Sequence, residues 1–233
     1  MQFIIIHDKR LIIFWSPKCG CSSLKIILAI YFNIHDPVKY SHIHLNEDLD
    51  ILIDKKDDNL KYENYDLVFL IRNPYDRLAS GFMNKYVTPT GDGKPHYTSP
   101  DNCKSFYDFC HILLKNPKAI DKHHFEPQTR GKGWMFYNFL GKPKKKYVFD
   151  TKDVNEIKKL LDLTIDDVKD NYSKKNENLD NEKLYNLDYE NLRKRKSVKY
   201  SNFYNNYLKK VVYEIYKNDF NFFKNVLNMN YSI

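Results

Sequence analysis

An α/β fold with a central, mainly parallel sheet is the architecture the sequence predicts, on three observations. Short apolar runs alternate with segments of helical period. The run "YDLVFLIRNP" is apolar without alternation, as in a strand buried on both faces. A strand-like run also feeds directly into a helix-like one through the tight turn "SPKCGCSS". With 233 residues, the chain is long enough for one well-buried core and is read as a single domain, 1–233.

Taken in order, "QFIII", "HDKR" and "LIIFW" read as strand, turn, strand, and the second strand enters the Lys/Gly/Ser turn. "SSLKIILAIYF" then places Leu24, Ile27, Leu28 and Tyr31 at helical spacing, with Ser22 or Ser23 able to cap its start. A polar stretch containing "YSHIHLNEDLDIL" precedes the buried strand, which Pro74 stops. "YDRLASGFMNKY" reads as the following helix, with Leu78, Phe82 and Met83 on one side. Residues 88–100, "TPTGDGKPHYTSP", form a Gly/Pro-rich loop of the length that carries function or mobility, a candidate lid. Residues 105–114 and 133–140 read as helices, "KKYVFD" as a strand and "VNEIKKLLDL" as an amphipathic helix. Residues 166–199, rich in Asp, Asn and Lys, read as a surface excursion ending in "RKRKSVK". "FYNNYLKKVVYEIYKNDFNFF" is expected to close the chain as an aromatic helix packed on the sheet.

Composition narrows the function classes. Hydrophobic residues make up 42% and charged residues 29%, a globular balance that is neither disordered nor membrane-like. The net charge of +8 favours anionic partners such as a nucleotide, an anionic glycan, nucleic acid or an acidic membrane. "HDKR" interrupts the first apolar run, so no span or signal segment is read; a soluble, cytoplasmic chain is expected, or one in the Golgi lumen if an anchor precedes it. Cys19 and Cys21 are too close for ordinary bridging and Cys103 with Cys110 lacks zinc-like partners, so all four cysteines are read as thiols.

A strand that ends in a Gly/Ser turn and opens a helix directs backbone N–H groups and a partial positive charge at one place, which suits a phosphate. Lys18 sits on that turn and the Ser22 and Ser23 hydroxyls add donors; a plain strand-to-helix connection is the alternative. The turn is not a Walker A loop, because the lysine precedes the glycine. Arg72 stands at the end of the buried strand, where the crevice of an open α/β sheet lies, and Ser80 follows on the next helix. An arginine fork with a hydroxyl suits a second phosphate; alternatively Arg72 caps the sheet edge or pairs with Asp76.

These residues carry a resemblance. "IIIHDKRLIIFWSPKCGCSSLK" resembles the opening of the carbohydrate sulfotransferase family that includes the chondroitin and HNK-1 enzymes, where a strand pair leads into a P-K-x-x-C-[ST] loop. "IRNPYDRLASGFMNKY" is similar to its R-[DE]-P-x-x-R-L-x-S-x-x-x-x-K segment and "HHFEPQ" to its H-[WF]-x-P-Q element. "YNFLGKPKKKYVFD" resembles its Y-D-F-[IV]-G-K-x-E-x-L-x-x-D segment, and the last helix its Y-x-x-D-F-x-x-[FL] ending. The pieces run in the family's order along nearly the whole chain.

The resemblance implies a three-layer P-loop-like domain with a central mainly parallel sheet flanked by helices. It implies 3′-phosphoadenosine 5′-phosphosulfate (PAPS) as donor, PAP as product, no metal, and transfer of a sulfuryl group to a hydroxyl of a carbohydrate. The loop of Pro17, Lys18, Cys19, Gly20, Cys21, Ser22 and Ser23 would hold the 5′-phosphosulfate, with Lys18 stabilising charge on the bridging oxygen. Arg72 and Ser80 would hold the 3′-phosphate, and Arg195 and Ser197 in the basic cluster are candidates to fold over it. That cluster can equally be a solvated basic run. For the base, "SHIHL" supplies His42 and His44, an H-x-H similar to that of the uronyl 2-O-sulfotransferases, in which the second His is the base. His123 and His124 of "HHFEPQ" are the other candidates, with Gln128 placed to bind acceptor hydroxyls; a glutamate base stays open.

The sequence departs from the pattern at Asn73, which replaces an acid, at Lys144, near the family's Glu, and at a missing cysteine close to Gly131 and Gly133. These departures touch the acceptor more than the donor. Rival readings are a hydroxyl of a tyrosine or small molecule as acceptor, a P-loop nucleotide kinase, and a non-catalytic basic module binding glycan or nucleic acid. A kinase leaves Arg72 with Ser80 unexplained and lacks a magnesium carboxylate pair. No nucleic-acid partner is expected.

Overall fold

The structure is a computed structural model that describes residues 1–35, 62–140, 145–164, 183–195 and 198–231. By the density of internal contacts the chain forms two compact units: Met1–Arg72 with Gln128–Asn171, and Asn73–Pro127 with Tyr172–Ile233.

The first unit holds the sheet. β1 (Gln2–Ile6) and β2 (Leu11–Trp15) form an antiparallel hairpin, and β3 (Asp66–Ile71) and β4 (Lys146–Asp150) extend it in the order β1-β2-β3-β4. β2 with β3 and β3 with β4 are parallel, in the registers Ile13↔Val68 and Leu70↔Phe149. β2 is buried along its whole length, which is why it shows no polar alternation. Leu11, Ile13, Trp15, Val68 and Leu70 face α1 (Cys21–Tyr31) and α6 (Glu156–Leu160), packing on Leu24, Ile27, Leu28, Ile157 and Leu161. On the other face Phe3 stacks on Phe136 of α5 (Lys132–Phe139) at 4.3 Å, and Phe14 meets Tyr137 edge-on. Helices therefore cover both faces, and the unit has the three-layer α/β order read from the sequence.

The second unit is helical. α2 (Pro74–Phe82) starts with proline in its first turn, and Asn73 caps it by accepting the Tyr75 N–H at 3.0 Å. Asn and Asp cap helices about equally well, so the departure at position 73 is neutral for this job. A π-turn (Met83–Val87) follows, and residues 88–100 form an exposed loop closed by the Thr90 N–H to Lys94 O bond of 2.7 Å. α3 (Phe106–Lys115), capped by Ser105, and α4 (Lys122–Phe125), capped by Asp121, complete this stretch. α7 (Tyr189–Arg193) precedes α8 (Asn206–Ile215) and α9 (Lys217–Leu227). The core is aromatic: Phe82, Phe106, Phe109, Phe125 and Phe203 are all 2% exposed or less.

Three local expectations are corrected. The closing segment is two helices rather than one, broken at Tyr216 (φ −111°, ψ 23°), whose hydroxyl is anchored on the Phe125 carbonyl at 2.9 Å. Its buried Leu208, Val211, Val212 and Phe220 pack into the helical cluster of the second unit rather than onto the sheet. The "VNEIKKLLDL" helix is confined to Glu156–Leu160, after a 3₁₀ turn at Thr151–Asp153. Among the described residues no helix is long and apolar enough to cross a membrane, and all four cysteines are free thiols.

Candidate functional site

The carboxyl ends of the three parallel strands bring the loop, Arg72 and Thr151 to one edge of the sheet, as chain continuity from Trp15, Ile71 and Asp150 requires. In the loop Lys18 (φ 68°) and Gly20 (φ 81°) are both left-handed, and the Cys19 N–H returns to the Ser16 carbonyl at 3.1 Å. This winding ends β2 and launches α1 in a few residues. It also corrects the cap: Gly20, with no side-chain bond, is the N-cap, which places Ser22 and Ser23 inside the first turn. Glycine is required at position 20, since a Cβ there would be strained by φ and would sit 3.3 Å from the Thr151 methyl. The first-turn amides of α1 have no acceptor within the helix, so the loop presents donors and the positive end of the helix dipole beside Lys18.

Arg72 is tied to that loop. Its Nη1 donates to the Lys18 carbonyl at 2.9 Å. The Lys18 side chain is not part of that bond, and both Lys18 and Arg72 are half-buried. Gln128 is the residue whose role differs most from its sequence reading. It is 0% exposed. Its Oε1 accepts from the Arg72 N–H at 3.2 Å and the Cys19 thiol at 3.0 Å, while its Nε2 donates to the Arg72 carbonyl at 2.9 Å. A buried amide so engaged holds the strand end and the loop together instead of presenting itself to an acceptor sugar. Gln128→Leu should therefore destabilise the protein by about 2–4 kcal/mol, because it leaves a buried N–H, carbonyl and thiol without their partner. Chemical denaturation would read this as a lower midpoint at unchanged slope.

Sequence reasoning missed three features here: Gln128 as a clamp, Thr151 as the wall against Gly20, and Lys25. Lys25 on α1 is 9% exposed, and burial holds its amine below the usual lysine value. Only the 128-to-72 pairing had any signal, the P-Q element itself.

The other expected site residues belong to the second unit or lie outside the described residues. In the second unit, Ser80 is on α2 and 9% exposed. His123 is exposed, while His124 is buried with its Nδ1 on the Asp121 carboxylate. Burial lowers the His124 pKa below its ordinary 6.5, with Asp121 opposing. Arg195 is exposed beyond α7. His42, His44, Lys144 and Ser197 lie outside the described residues.

Helix-start amides and the Arg72 guanidinium meet on the loop that carries Lys18, all within one unit, and groups of this kind suit an anion. Comparison with known proteins agrees. The model of the sulfotransferase family matches residues 1–225, whereas no curated protein and no solved structure matches. Because the match spans the loop, the Arg72 strand, both units and the closing helices in one alignment, the chain belongs to the sulfotransferase family.

Proposed function

We propose that the protein is a PAPS-dependent sulfotransferase, built as one domain over 1–233, that sulfates a hydroxyl of a carbohydrate. The observation that carries this reading is the Arg72 guanidinium bonded to the carbonyl of Lys18, which joins the strand end and the loop at one sheet edge. The residues present fit the donor: the donor has two phosphate-bearing ends, and the chain offers a helix-start loop and an arginine fork.

On this reading Pro17 to Ser23 hold the 5′-phosphosulfate through first-turn amides and the Ser22 and Ser23 hydroxyls. Arg72 holds the 3′-phosphate. Bound PAPS supplies the activated sulfuryl group. The Lys18 ammonium stabilises negative charge at the phosphate oxygen that leaves, an electrostatic contribution of the kind that dominates such transfers. The carbohydrate acceptor rests on the resemblance of the "HHFEPQ" and "YNFLGKPKKKYVFD" segments and suits a chain of net charge +8 if the glycan is anionic.

The test is a melting curve with PAP. At 100 times its dissociation constant PAP should add about 2.7 kcal/mol of stability, seen as roughly 5–10 °C in a chain of this size. Labelled PAPS offered with a panel of desulfated glycans then identifies the acceptor. No shift with PAP, or an equal shift with ATP, overturns the reading.

A further inference from the structure

α5 uses its inner face fully on the sheet. A Cβ at Gly133 would come within 2.8 Å of the Gln2 carbonyl oxygen, so the helix lies directly on β1, and Phe136 and Leu140 on the same side are buried. Phe136 also meets the Tyr62 ring edge-on at 5.4 Å. The outer face is where a helix on a globular protein carries polar groups. Here it carries Met135 and Phe139, one turn apart and 66% and 65% exposed, the most exposed large apolar side chains among the described residues.

Positive charge accompanies this apolar stripe. Lys132 lies three residues before Met135 and seven before Phe139, which puts the three on one side of the helix. Arg130 and Lys132 are exposed at the start of α5, and Lys145 and Lys146 are exposed where β4 begins. From residue 127 to residue 149 the sequence has no Asp or Glu. Trp134 and Tyr137, half-buried and stacked at 5.5 Å, add amphipathic rings of the kind that favour a boundary between water and lipid. We propose that the outer face of α5 docks on an anionic lipid surface. Met135 and Phe139 enter the acyl boundary, Arg130 and Lys132 meet the headgroup anions, and Lys145 and Lys146 add to the positive field of the same unit. With eight residues, α5 lies in the plane of that surface and does not cross it.

Two physical arguments select lipid over other occupants. A second copy of the chain docked on this face would set Arg130 and Lys132 of both copies against one another, and like charges facing across an interface repel. An anionic glycan would satisfy the cations, but it presents hydroxyls, and neither Met135 nor Phe139 has a hydrogen-bond donor to offer them. An anionic bilayer supplies both parts: a charged headgroup layer and an apolar layer just beneath it.

The experiment is co-sedimentation of the full chain with vesicles of phosphatidylcholine, alone or with about 30% phosphatidylserine. Wild type should pellet with the mixed vesicles and not with phosphatidylcholine, and about 0.5 M salt should weaken the binding by screening. Met135→Ser combined with Phe139→Ser keeps the net charge of +8, so adsorption by charge alone would survive it. Docking through α5 should instead fall about tenfold or more, at an unchanged melting temperature because both positions are exposed. Lys132→Glu should also weaken binding about tenfold. Phe139→Trp should be quenched by brominated acyl chains. Wild type that stays in the supernatant with mixed vesicles, a double variant that pellets as wild type does, or an unquenched Phe139→Trp overturns the proposal. If the double variant instead dissolves a wild-type dimer, or loses binding to soluble chondroitin sulfate with its pelleting unchanged, the face belongs to a second copy or a glycan and the proposal falls.

Discussion

Lys18→Ala is expected to lower the rate of sulfuryl transfer by about 100- to 1000-fold while leaving the melting temperature within a degree or two of wild type. The rate loss is the size seen when one preorganised donor to a developing oxyanion is removed. The unchanged stability follows from geometry: Arg72 binds the Lys18 carbonyl, which alanine also has. Alanine accepts the same left-handed φ of 68° at no greater cost than lysine. Single-turnover transfer beside a thermal scan checks both halves. A variant with nearly full turnover would show that the ammonium does no chemistry.

Arg72→Ala is expected to fail in both assays. The guanidinium donates to the Lys18 carbonyl, and loss of a hydrogen bond from a charged group costs roughly 1.5–3 kcal/mol. The loop is then less ordered, and the anion fork is gone as well. PAP affinity should fall at least tenfold, so PAP should raise the variant's melting temperature far less than it raises wild type's. Arg72→Lys should restore little, because a point charge does not supply the two parallel donors of an arginine fork. The contrast would separate the two cations: Lys18 is expected to act mainly on rate, Arg72 on stability and binding. Equal PAP shifts in Arg72→Ala and wild type would remove Arg72 from the donor site.

How much of this was legible in the sequence varied by element. β2 and β3 were visible as apolar runs because burial on both faces leaves no polar alternation, β1 as the apolar run paired with β2 across "HDKR", and α2 and α3 as helical periods with Pro74 and Ser105 at their starts. The loop was visible because Lys18 and Gly20 fall between a strand and a helix that opens with Ser22 in its first turn. Its cap was misread. Serine at a helix start is the stronger local signal, but the cap falls on the left-handed Gly20, where a side chain would also meet Leu70 and Thr151 from other strands and their ends. The closing helix was misread in a similar way: its aromatic period runs on through Tyr216, while at the break Tyr216 turns its hydroxyl onto the carbonyl of Phe125, 91 residues earlier.

The sequence by itself determined the order of strands and helices, the presence of a Lys/Gly/Ser loop after β2, and a basic chain with Arg72 at a strand end, since each is written in neighbouring residues. Only the tertiary structure decided that Gln128 clamps Arg72 and Cys19, which stand 56 and 109 positions away, and that Arg77 and Tyr216 hold the segment carrying Asp121 and His124. Hydrogen-bond partners so far apart leave no periodic trace along the chain. Folding alone brings them within 3 Å or so, and there the desolvation of buried polar groups makes each partner obligatory.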